Sequence, residues 1–88
     1  MLTADFTGQF KKDYKLAINR GLDISLMDRM IRDLISEVPL PKKHNDHLLS
    51  SDYTGCREYH IKPDWLLIYQ IGNGVIVFER TGTHSDLF

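Results

Sequence analysis

The 88-residue chain carries four histidines, His44, His47, His60 and His84, all from residue 44 onward. Imidazole is the side chain whose unperturbed pKa lies nearest neutral pH, so this crowding points to proton transfer or to metal ligation. Other reactive groups stand nearby in the chain: Glu58 just before His60, Asp64 just after it, and Arg80 shortly before His84. Such a set can cut RNA without a metal, because the 2′-hydroxyl of RNA serves as the nucleophile. One group takes the hydroxyl proton, another protonates the departing 5′-oxygen, and a cation steadies the charged phosphorane between them. Two histidines suit the acid and base roles. A guanidinium fork suits the phosphate, and a carboxylate such as Asp64 can orient an imidazole. An aromatic side chain stacking on an unpaired base contributes roughly 1–3 kcal/mol. The competing reading is zinc ligation by His44-x-x-His47 with His60 or His84. No cysteine pair or second compact motif joins them, so no metal and no cofactor is expected. His44 reads as a solvated loop residue, and Cys56 as a small hydrophobe rather than a nucleophile.

These residues need elements to hold them. Met1 to Phe6 reads as a short edge strand. Thr7 is the expected N-cap of a helix reaching about Asn19, with Phe10, Tyr14, Ala17 and Ile18 on its apolar face and Gly21 as its stop. Asp23 or Ser25 caps a second helix to about Glu37. Its stripe is Leu26, Met27, Met30, Ile31, Leu34, Ile35 and Val38, ended by Pro39 and Pro41. Residues 39–52 read as a loop. Tyr53 to Ile61 alternates, with Cys56, Glu58 and His60 on one face and Arg57, Tyr59 and Ile61 on the other. Pro63-Asp64 makes a turn, and Trp65 to Ile71 is a nearly continuous apolar strand. Gly72-Asn73-Gly74 is a hairpin connection, Val75 to Thr81 the returning strand, and Thr83 to Phe88 a short tail. The expected fold is α+β: an N-terminal strand and two helices packed on a mainly antiparallel four-stranded sheet, in one domain over residues 1–88. The antiparallel order lets His60 and Arg80 share a sheet face a few strand spacings apart.

Composition narrows the function classes. At 42% hydrophobic and 26% charged, with a net charge of -1, the chain is neither low-complexity nor an evident nucleic-acid binder by bulk electrostatics. No apolar run approaches the ~20 residues of a membrane-spanning helix. No secretory signal is visible and the single cysteine cannot form an internal disulfide, so a reducing, cytoplasmic setting is expected. Charge is divided unevenly: residues 1–43 hold eight Lys/Arg and six Asp/Glu, residues 44–88 three and six.

Three segments carry a specific resemblance: Asp46-His47-x-Leu49, then Arg57-Glu58-x-His60-Ile61-x-Pro63-Asp64-Trp65-Leu66-Leu67-Ile68-Tyr69, then Glu79-Arg80-Thr81-Gly82-Thr83-His84-Ser85-Asp86-Leu87-Phe88. Together they resemble the signature of YafQ-type toxins, ribosome-dependent mRNA endoribonucleases of the RelE superfamily, and the likeness extends over essentially the whole chain. The resemblance implies that His47, His60, Asp64 and His84 form the acid/base set and that Arg80 contacts phosphate. It implies substrate placement by Trp65 and Phe88, with Glu58 at a position that is usually acidic. It further implies cleavage of translating mRNA in the ribosomal A site and neutralisation by a cognate antitoxin. The stretch Ser50-Ser51-Asp52-Tyr53 departs from the pattern, lacking the Gly and Trp that relatives often carry there. Binding to rRNA then falls to the cation-rich first half, with Lys11, Lys12 and Lys15 its expected contacts. His84 is expected as general acid, and His60, aided by Asp64 or His47, as base. The alternative is a non-catalytic toxin of the same fold, acting on a target such as gyrase.

Overall fold

The structure, a computed structural model, describes residues 1–39, 47–48 and 55–88. Its elements run β1 (Thr3–Phe6), α1 (Gly8–Asn19), α2 (Ile24–Ile35), β2 (His47–Leu48), β3 (Arg57–Lys62), β4 (Trp65–Gly72), β5 (Val75–Gly82) and α3 (His84–Leu87). The sheet order is β1-β5-β4-β3-β2, with β1 parallel to β5 and every other pairing antiparallel. The α+β expectation holds. The sheet is mixed, its four longer strands being joined at one edge by β2, which falls inside the stretch read as a loop. Residues 40–46 and 49–54, which include His44, Ser50-Ser51-Asp52-Tyr53 and the expected strand start at Tyr53, lie outside the described residues.

Local chemistry explains the boundaries. The Thr7 side chain accepts from the Phe10 amide and the Asp23 side chain from the Leu26 amide, capping α1 and α2. Both helices end in the same hydrogen-bond pattern. After α1, Gly21 (φ 76°) lets its own amide reach Ile18 O and the Leu22 amide reach Ala17 O. After α2, Glu37 takes the equivalent position at φ 61°, with its amide on Leu34 O and the Val38 amide on Asp33 O. The second helix is therefore stopped by a left-handed glutamate before Pro39 is reached. In the β4–β5 hairpin Asn73 and Gly74 both have positive φ, as a two-residue primed turn requires.

The two sheet faces are unequal. The helices cover one, burying Phe10, Met27, Met30, Ile31, Leu34, Tyr59, Ile61, Trp65, Leu67, Tyr69, Ile76 and Phe78 in one cluster. The α1 stripe is rotated from the expected one: its buried residues are Phe10, Asp13 and Ala17, while Ile18 is exposed. On the opposite face α3 lays Leu87 against Leu66, Ile68 and Cys56, a smaller cluster. The tail is thus a short helix that roofs part of this second face.

Candidate active site

Strand register decides which residues meet. β4 lies between β3 and β5, and opposite Leu66 stand His60 on one side and Gly82 on the other. One step along, Ile68 stands between Glu58 and Arg80. Side-chain alternation puts Glu58 and His60 on the face that α3 roofs, and a register shift in the β4–β5 ladder at Ile68/Tyr69 brings Arg80 to that face beside Ile68. Gly82 leads within two residues to His84, the first residue of α3. The helix turns back over β4, and the His84 and His60 rings meet edge to face with centroids 5.8 Å apart.

Each imidazole is backed by a carboxylate. Glu58 is buried and its Oε1 bonds His60 Nε2. Asp64 sits in the tight β3–β4 turn, where Oδ1 accepts from His84 Nδ1 at 2.6 Å and from the His84 amide at 2.9 Å. These bonds hold the Asp64 carboxyl below its ordinary 3.8, the backbone contact contributing most. Asp64 is therefore ionised at neutral pH and can only accept, which places a proton on Nδ1 of His84. Nε2 is then the nitrogen left to give or take a proton. The carboxylate pairing differs from the expected one: Asp64 serves His84, and Glu58 rather than Asp64 serves His60. His47 stands opposite Glu58 in the β2–β3 ladder.

Arg80 lies where β5 has lost its neighbour, since β1 ends at Phe6 opposite Phe78. Its Nε and Nη2 donate to the Asp13 carboxylate of α1 at 2.7 and 3.3 Å. The same carboxylate accepts from the Thr81 amide and from Gln9 Nε2. Asp13 thus satisfies an otherwise unpaired strand edge as well as a guanidinium. Phe88 is 61% exposed, with its ring 6.4 Å from that of His84. Lys11, Lys12 and Lys15 are exposed on α1.

Trp65 is not brought to the two histidines. It points to the helix-covered face, is 3% exposed, and donates from Nε1 to Thr81 Oγ1 at 3.1 Å. It is a core residue, because the strand's alternation sends position 65 away from the face that carries His60. Stacking on a base would require pulling it from that core. Sequence reasoning missed three residues. Asp13 was legible as a lone carboxylate in line with Phe10 and Ala17. Asp86 was legible from the Thr83-x-x-Asp86 spacing of a capping box, in which Thr83 Oγ1 accepts from the Asp86 amide and Asp86 accepts from the Thr83 amide. Arg20, which bonds Asp86 through both Nη atoms, had no local signal.

Glu58, His60 and His84 also offer ligand atoms within 4.8 Å of one another, a donor set that a transition metal would accept. Among the described residues, no helix is long and apolar enough to cross a membrane.

Residues 2–88 match the family model described as bacterial toxin of type II toxin-antitoxin system, YafQ. The chain belongs to the YafQ toxin family. It is 44% identical over 85 residues to the mRNA interferase toxin YafQ of Escherichia coli strain B / BL21-DE3, covering 96% of this chain and 92% of that protein. The crystal structure of YafQ from E. coli BL21(DE3) superposes with a TM-score of 0.94 at 40% identity, over 100% of this chain and 99% of that one. YafQ in the E. coli DinJ–YafQ complex superposes at 0.92 and 42% identity, with the same coverage. A metal-bound toxin from Helicobacter pylori reaches 0.91 at 39% identity, over all of both chains.

Proposed function

We propose that this chain is a ribosome-dependent mRNA endoribonuclease toxin, cutting translating mRNA in the ribosomal A site and neutralised by a cognate antitoxin in the bacterial cytoplasm. The observation that carries the reading is the meeting of His60 and His84, each on its own carboxylate, on the face that also bears Arg80. The relatives named as mRNA interferases, and the one crystallised with DinJ, support the activity and the partner.

An acid or base must come within about 2.6–3.2 Å of the group it serves. Rings 5.8 Å apart can both reach one phosphodiester. His60, on Glu58, takes the 2′-hydroxyl proton. O2′ then attacks phosphorus and the P–O5′ bond breaks. His84, protonated at Nε2 and held by Asp64, delivers its proton to the leaving 5′-oxygen. His47, opposite Glu58, completes the acid/base set. Arg80, steadied by Asp13, neutralises the phosphorane, and Phe88 stacks on a base next to the cut. The products are a 2′,3′-cyclic phosphate and a 5′-hydroxyl. Two imidazoles and a guanidinium supply acid, base and countercharge, so the reaction needs no metal. Lys11, Lys12 and Lys15 hold rRNA phosphates.

The test is inducible expression in bacteria with transcript ends mapped, wild type beside His84→Gln. Cleavage should fall by about 10²–10⁴-fold, the usual share of a general acid. Undiminished cuts in the variant would reject the role of His84. Growth arrest without any cuts would favour the non-catalytic toxin. Protein treated with EDTA should cleave programmed ribosomes at the untreated rate, and reversing the three lysine charges should weaken ribosome association.

A further inference from the structure

His84 sits on a helix of a single turn, which cannot hold its own shape in water, since helices shorter than roughly 12 residues are marginal even in favourable sequences. Something outside α3 must fix it. Leu87 anchors one side in the small apolar cluster. The other side is held by charge. Asp86 Oδ2 accepts from Arg20 Nη1 at 2.6 Å and Oδ1 from Arg20 Nη2 at 3.1 Å, a two-pronged ion pair. The same carboxylate closes the capping box on the Thr83 amide at 2.9 Å. Arg20 is the C-cap of α1, where its own amide bonds Leu16 O, so the guanidinium extends from a fixed helix end. Asp86 also packs against Gly82, where an added Cβ would lie 2.9 Å from Oδ2. The clamp therefore links the core-packed helix α1 to Thr83 and Asp86, which bracket His84.

We propose that Arg20 and Asp86 are positioning residues for the cleavage reaction, setting the place of the His84 imidazole by clamping α3 to the end of α1. The inference rests on the acid role proposed for His84. It also withdraws Arg20 from the cations available to RNA and gives it a partner inside the protein.

The test is a double-mutant cycle with Arg20→Met and Asp86→Asn, read by single-turnover cleavage on programmed ribosomes, with His84→Gln as control. Asparagine keeps one oxygen to cap the Thr83 amide and removes the charge together with the second acceptor of the Arg20 pair. Each single change should lower kcat by about tenfold, in line with the steep cost of misplacing a reacting group by ~1 Å, and leave KM within about twofold. The double variant should be no slower than the slower single, and Arg20→Lys should recover part of the loss. Amide exchange at Leu87 and Phe88, whose N–H groups bond Thr83 O and His84 O, should quicken in Arg20→Met by more than exchange in the β4–β5 core does. Multiplying losses in the double variant, or wild-type rates in both singles, would overturn the proposal. A rise in KM confined to Arg20→Met would mean that Arg20 serves RNA instead. If His84→Gln itself still cleaves, the fault lies with the acid assignment and not with the clamp.

Discussion

Replacing Asp64 by alanine removes both contacts that aim His84, the 2.6 Å bond to Nδ1 and the 2.9 Å bond to its amide. The two side chains are 66% and 51% exposed, so solvent screens their attraction and folding stability should barely change. The cost is one of orientation. A freed histidine samples three χ1 wells and roughly two ring orientations, about six arrangements where the clipped ring holds one. The loss is on the order of tenfold in cleavage rate, well short of the 10²–10⁴-fold expected on removing the imidazole. Asp64→Asn keeps an acceptor at the same place and should fall between alanine and wild type. The assay is single-turnover cleavage on saturating programmed ribosomes, with Tm measured alongside. Wild-type speed in Asp64→Ala, with His84→Gln inactive, would refute the orienting role. A loss as deep as that of His84→Gln would mean that Asp64 moves the proton itself.

Two further outcomes follow from the geometry. Glu37 holds a left-handed conformation that costs a non-glycine residue roughly 1–2 kcal/mol, so Glu37→Gly should stabilise the domain by about 1 kcal/mol after the added unfolded-chain freedom. Thermal unfolding should shift upward by about 4–8 °C, and a downward shift would show that the glutamate side chain matters more than its backbone. The carboxyls of Asp23 and Asp86 lie below their ordinary 3.8, through hydrogen bonds to Ser25 and to Arg20 respectively. A depressed folded pKa means that the unfolded chain binds more protons, so this stability is whole above about pH 4 and is lost as pH falls through the folded values. Asp86→Asn should therefore flatten the acid limb of a Tm–pH profile, and an unchanged limb would refute the contribution of Asp86.

Much of this protein is written in short-range pattern. Thr7 and Asp23 announce the helix starts, Gly72-Asn73-Gly74 the hairpin, and the apolar run from Trp65 the central strand, because capping, positive φ and alternation act over a few residues. Histidine, carboxylate and arginine types were equally legible, as was the resemblance carried by the segments around His60 and His84. Partnership was not legible. Whether Asp64 serves His60 or His84, whether Trp65 faces RNA or the core, and that Asp13 holds Arg80 across 67 positions of chain were settled by strand register and helix docking. Those contacts join residues whose separation in the chain says nothing about their distance in space. The sequence by itself determined the α+β elements and the inventory of histidines, carboxylates and arginines. The tertiary structure alone decided which carboxylate backs which imidazole, and that the arginine ending α1 holds the turn that carries His84. A hydrogen bond depends on angle and distance, and only the packed sheet, with α3 folded back across β4, sets both.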